Sequence, residues 1–189
     1  MGIFSKFKKT KKYNLKKSDF TTEKEESEVE VTFTSEEFAK SLAEFKKKEG
    51  IPETKNETNK FTSVTSFANI TLFGNETRIQ YDPTELEIDE NIFINQLNQK
   101  LNWISENKKI INQGITDKLL PLKNEDWIEK NEEQLSEKQF IKHLNLTSIL
   151  FFHDGSSQLG FDDGNLFFGH YIMVDLSRDN KFIDADIWG

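Results

Sequence analysis

The chain has 189 residues with 17 Phe and 3 Trp, enough for one domain of ordinary size that buries roughly 70% of the surface its unfolded form exposes. Cysteine is absent, which removes disulfides, thiolate catalysis and cysteine-bound zinc and fits a reducing, cytoplasmic compartment. The net charge of −8 is uneven: residues 1–17 carry seven Lys and no acid, and the rest carries 18 basic against 33 acidic side chains, or −15, a body that repels nucleic-acid phosphate and attracts basic partners.

The opening "MGIFSKFKKTKKYNLKK" scatters Ile3, Phe4, Phe7, Tyr13 and Leu15 among lysines without a sustained apolar stripe. It reads as a mobile tail, with weak attachment to an anionic membrane through residues 1–17 as the alternative. No apolar core follows it, so no secretory signal is expected, and Ser5 stands one place out of step with a myristoylation signal. No stretch approaches the ~20 apolar residues of a membrane span. The Asn-x-Thr sequons at Asn56, Asn69, Asn75 and Asn145 read as chance in a chain rich in both residues.

"TSEEFAKSLAEFKKKEG" predicts a separate N-terminal helix, with Thr34 and Glu37 as a capping box and Phe38, Leu42 and Phe45 at helical spacing. "IPETKNETNK" has no apolar pattern and reads as a linker. Residues 1–60 are therefore expected to be tail, helix and linker, and residues 61–189 a single α+β domain.

The domain opens with a predicted hairpin in "SFANITLFGNETRIQYD", turning at Gly74-Asn75. From Asp89 a helical stripe runs through Phe93, Leu97, Leu101, Ile104 and Ile111. Gly114 is expected to break it, leaving a short helix that ends before Pro121. "SEKQFIKHL" predicts a further short helix, capped by Ser136 and Gln139. From Leu146 onward the pattern turns to strands separated by Asp154-Gly155, Asp163-Gly164 and residues 177–180, which predicts a four-stranded antiparallel meander. The fold class is α+β: an antiparallel sheet with this C-terminal meander packed against helices and preceded by the hairpin, which is expected to extend the same sheet.

Two-residue turns at 154–155 and 163–164 would pair Leu150 with Leu159 and Phe161 with Leu166. A four-residue loop at 177–180 would pair Val174 with Ile183, Ile172 with Ala185 and His170 with Ile187. Side-chain alternation then collects Leu150, Phe152, Leu159, Phe161, Leu166, Phe168, His170, Ile172, Val174, Ile183, Ala185 and Ile187 on a core face. Ile149, Phe151, His153, Gln158, Gly160, Phe167, Gly169, Tyr171, Met173, Asp184, Asp186 and Trp188 fall on the other, with Trp188 covering Gly169.

This parity bears on chemistry. A His–carboxylate pair or metal site would need His170 beside Asp184 or Asp186, and the alternation separates them. His153 shares their face but stands three strand spacings of about 4.8 Å away, too far for one ion with ~2 Å bonds. His170 reads as a core histidine holding a hydrogen bond, and Asp154, Asp162 and Asp163 as turn residues. "DDGN" lacks the alternating acids and final Glu of a calcium loop. No nucleophile elbow or phosphate loop occurs. No catalytic residue, metal or cofactor is assigned.

The motifs Ser136 to Phe140, Phe152 to Ser156, Asp162 to His170 and Asp184 to Gly189 resemble those of an uncharacterised bacterial family, domain of unknown function 2262, over residues 64–189. The resemblance implies a bacterial protein and no particular activity. By analogy with small acidic α+β proteins, the leading expectation is a cytoplasmic, non-enzymatic binding protein. It would be an immunity- or antitoxin-like factor that occludes a basic partner through Phe167, Tyr171, Asp184, Asp186 and Trp188. The rival is a metal-dependent or hydrolytic enzyme using Asp184, Asp186 and a histidine.

Overall fold

The computed structural model describes residues 12–30 and 58–189 and, between them, Lys40, Glu44, Phe45, Lys47 and Lys48, all five helical. The capping box at Thr34 and Glu37, residues 51–57 of the expected linker and residues 1–11 of the expected tail lie outside the described residues, and residues 58–60, expected as linker, already belong to a strand. The chain divides into two compact units. One comprises residues 1–22 and 65–189, the other residues 23–64.

Seven strands form one sheet in sequential order among the described residues: β1 (Thr21–Glu30), β2 (Thr58–Leu72), β3 (Asn75–Tyr81), β4 (Asn145–Phe151), β5 (Ser157–Asp162), β6 (Tyr171–Leu176) and β7 (Phe182–Trp188). The hairpin does extend the meander's sheet, by a parallel pairing of β3 with β4. A parallel pair needs a crossover, and α1 (Glu90–Glu106), α2 (Lys108–Glu125) and α3 (Glu137–His143) supply it.

The β2–β3 turn lies one residue earlier than expected, at Phe73 (φ 55°) and Gly74 (φ 94°), with Leu72 paired to Asn75. Both central residues of a two-residue hairpin loop take positive φ when its twist matches the strands. Phe73 is unusual there, and its ring packs on the core beneath the Lys108 ammonium, 4.7 Å from the ring centre.

Asp89 caps α1 by accepting from the backbone N–H groups of Asn91 and Ile92, and Phe93, Leu97, Leu101 and Ile104 are buried along one stripe. The expected break at Gly114 is wrong. The helix is interrupted at Asn107, whose side-chain amide donates to Trp103 O at 2.8 Å, and both Gly114 and Pro121 lie inside α2. Gly114 is kept small by packing: a Cβ there would stand 2.5 Å from the Phe182 ring. Gly114→Ala should therefore destabilise the protein by about 1–3 kcal/mol through overpacking, although alanine ordinarily favours an exposed helix interior by ~1 kcal/mol. Urea denaturation checks the sign, and a higher midpoint in the variant would show that Phe182 is not seated there. The capping box of α3 is present as expected, with the Ser136 N–H donating to Gln139 Oε1 at 2.9 Å.

Residues 13–17, expected in the tail, are fastened to α1. Asn98 and Asn102 stand one helical turn apart, and each side-chain amide both donates and accepts. Asn102 takes the N–H of Tyr13 at 2.7 Å and gives to its carbonyl at 3.0 Å. Asn98 does the same with Leu15 at 2.8 and 2.9 Å. Tyr13 OH donates to Thr71 O, and Lys17 pairs with Glu90. The Lys17 bond, the largest influence, and the hydroxyl of Tyr81 hold the Glu90 carboxyl below its ordinary range. The first compact unit thus begins well before the expected boundary at residue 61.

The meander exists, but its register differs from expectation. Leu150 pairs with Gln158 and Ile149 with Leu159, so parity on β4 is inverted: Ile149 and Phe151 are buried, while Leu150 and Phe152 are only half-buried. Only Gly155 takes positive φ there (85°), so the two-residue turn does not form. Asp154 Oδ1 instead accepts from Ser156 N at 2.8 Å, and Phe152 N donates to Ser156 O, closing a longer loop. Asp163-Gly164 is no hairpin turn either. Asp162 pairs with Tyr171 and Phe161 with Ile172, leaving residues 163–170 as a loop.

On β6–β7 the pairing is displaced by two residues: Val174 faces Ala185 and Ile172 faces Ile187. Ile183 is the extra residue of an irregularity and lies 61% exposed, leaving Phe182 opposite Leu176. A row of directly paired residues, Ala68, Ile79, Ile149, Leu159, Val174 and Ala185, forms the buried face against α1 and α2.

Candidate functional site

The opposite sheet face carries two further rows. One is Asn69, Arg78, Ser148, Gly160, Met173 and Asp186; the next is Phe67, Gln80, Leu150, Gln158, Asp175 and Asp184. The row ends nearest β7 are acidic. Beside them Tyr171 and Trp188 pair directly and are 55% and 59% exposed. Alternation on two strands places these side chains together, because paired residues on adjacent strands share a face.

Asp184 accepts an ion pair from Lys118 of α2 at 2.9 Å. That bond, followed by the N–H of Ala185, holds its carboxyl below the ordinary range. Asp175 lies directly across from Asp184 and accepts from Gln158 Nε2 at 3.0 Å. Asp175 and Met173 belong with this patch. Asp175 was missed in the sequence although the alternation through Tyr171 and Met173 points straight to it. Lys118 could not be found that way, since only the docking of α2 on β7 brings it near.

Of the predicted binding residues, Tyr171, Asp184, Asp186 and Trp188 share the open face. Phe167 does not. It is 0% exposed in the 163–170 loop, edge-on to Trp127 at 5.5 Å and to Phe140 at 6.4 Å. Its burial follows from Asp163, whose carboxylate accepts from Asn165 N at 2.8 Å and Phe167 N at 2.6 Å and curls the loop inward. Trp188 does not cover Gly169 either, because the two-residue displacement sets it opposite Tyr171.

His170 is half-buried in that loop rather than on a core strand. Its Nδ1 bonds Phe167 O, and its ring meets Trp127 edge-on at 5.4 Å. His143 Nδ1 lies 3.2 Å from Gly164 O, and His153 Nδ1 3.6 Å from Glu85 Oε2. No histidine is bonded to Asp184 or Asp186, and no three His, Cys, Asp or Glu converge as metal ligands among the described residues. The rival enzyme constellation is therefore not assembled among these groups.

A model of a family of uncharacterised proteins conserved in bacteria matches residues 58–187. The chain belongs to domain of unknown function 2262. No curated protein and no solved structure matches it. The segment assigned to domain of unknown function 2262 takes in the open face up to Ile187, one residue short of Trp188. No helix among the described residues is long and apolar enough to cross a membrane.

Proposed function

We propose that the chain is a cytoplasmic binding protein that occludes a basic partner on the open face of β6 and β7, as an immunity- or antitoxin-like factor would. The observation that carries this reading is the direct pairing of Asp175 with Asp184 beside the exposed Tyr171–Trp188 pair. Like charges directly opposite one another disfavour strand pairing. Protection of an edge strand from mispairing explains acids on β7. It does not explain Asp175 on an interior strand, nor two exposed aromatic rings, which promote association. Aromatic anchors ringed by acids suit a partner surface that presents Lys or Arg among apolar groups. The −15 charge of residues 18–189 would speed such an encounter.

The test is a titration of the full chain with a lysine–leucine peptide and with a glutamate–leucine peptide of equal length, followed by NMR. The lysine peptide should shift the Trp188 indole and the Tyr171 and Met173 signals, and its affinity should fall with salt. Replacing Asp175, Asp184 and Asp186 together by Asn should weaken it by about tenfold or more, or ~1.4 kcal/mol. Equal binding of both peptides, or an unchanged affinity in the triple variant, would overturn the reading.

A further inference from the structure

Two loops, residues 152–156 between β4 and β5 and residues 177–181 between β6 and β7, are tied together by one buried lysine. Lys100 of α1 is 6% exposed, and its Nζ donates to Gly155 O at 2.9 Å and to Ser177 O at 2.6 Å. Burial pushes its pKa below the ordinary lysine value, against the opposing pull of Asp154 and Asp179. Lys100 lines a cleft of about 290 Å³ with Phe93, Leu97, Phe152, Arg178 and Asn180 among its walls.

Three polar groups of this cleft have hydrogen-bonding capacity left over. An ammonium has three N–H donors, and Lys100 uses two on carbonyls. The Asn180 Oδ1 is buried and has no donor among the described residues. Arg178 makes no hydrogen bond or ion pair with the described residues, although its stem is held against Gly155, where a Cβ would lie 3.1 Å from Arg178 Cγ. Tying the loops accounts for two bonds of Lys100. It accounts neither for a buried acceptor without a donor among the described residues, which costs about 1–3 kcal/mol, nor for a second cation in the same cleft that forms no ion pair with them.

We infer that the cleft binds a small one-ring organic anion. Its carboxylate or phosphate group would lie on Lys100 and Arg178, its ring against Phe93 and Phe152, and a hydroxyl or amino hydrogen on Asn180 Oδ1. The volume stands at the small end of ligand pockets, which begin near about 300 Å³, and so limits the ligand to a single ring. The site lies among loop residues and the α1 stripe and shares no residue with the acidic patch.

The full-length chain is titrated, with NMR detection, against 4-hydroxybenzoate, phenyl phosphate, inorganic phosphate and uncharged benzyl alcohol to about 10 mM, where a ~1 mM site would be nine-tenths filled. At least one of the two aromatic anions should shift the signals of Phe152, Ser156 and Asn180, and the tighter of them tells carboxylate from phosphate. Inorganic phosphate and benzyl alcohol should each bind about tenfold more weakly. Arg178→Ala, at an exposed residue with no hydrogen bond or ion pair to lose among the described residues, should weaken the aromatic anion by about tenfold while leaving the fold intact. Lys100→Met should abolish binding in whatever fraction folds. No shift with either aromatic anion, equal binding of benzyl alcohol, or an unchanged affinity in Arg178→Ala would overturn the inference.

Discussion

Truncating Ile149 to alanine should cost about 2–5 kcal/mol, whereas Leu150→Ala should cost less than about 1 kcal/mol. Adjacent residues on a strand point to opposite faces. Ile149 is fully buried between Ile79 and Leu159, while Leu150 sits half-buried between Gln80 and Gln158 on the open face. Losing several kcal/mol matters in a protein whose total stability is of order 5–15 kcal/mol. Urea denaturation of the two variants measures the difference. A larger loss for Leu150→Ala would mean that β4 takes the register of a two-residue turn at 154–155 and that the open face is drawn wrongly.

Asp163→Ala should be nearly as damaging, at about 3 kcal/mol, with Asp162→Ala costing well under half of that. Both acids sit in one dipeptide of the same loop. Asp163 is buried and accepts two backbone N–H groups, one of them from the fully buried Phe167. Asp162 is exposed and, among the described residues, its side chain accepts only from Gly164 N, a group that water can reach if the side chain is removed. Asp163→Ala should also free Phe167 and His170 from Trp127. Their ring resonances should lose the dispersion that close aromatic neighbours cause, and Asp162→Ala should leave it intact. Similar losses in both variants would show that the loop is held from elsewhere.

Much of the fold was legible because its signals are local. The Ser136–Gln139 box, the Asp89 start of α1 and the apolar stripe from Phe93 to Ile104 depend on residues within a turn or two of one another. Gly114 and Pro121 misled because both commonly end helices, and only the seat of Phe182 on α2 shows why a glycine stands inside one. The clamp of Tyr13 and Leu15 was invisible, since Asn98 and Asn102 on a helix surface look like any solvated amides until the backbone of Tyr13 and Leu15 lies across them.

The candidate face shows the same division. A register error of two residues leaves every side chain on its own face, and an error of one moves all of them. The β6–β7 pairing was misjudged by two, so Tyr171, Asp184, Asp186 and Trp188 stayed together on the open face although their partners changed. The pairing of β4 with β5 was misjudged by one, so Ile149 and Leu150 exchanged places. Alternation with period two is written in each strand and belongs to the sequence alone. Loop length is not, because Asp154-Gly155 and Asp163-Gly164 each admit a tight turn or a longer loop. The choice fell to contacts made elsewhere: the Lys100 ammonium on Gly155 O, and the Trp127 ring against Phe167 and His170. The sequence thus determined which residues share a face within a strand. Tertiary packing decided which face is buried on β4, that Phe167 turns inward, and that Lys100, Arg178 and Asn180 meet in one cleft.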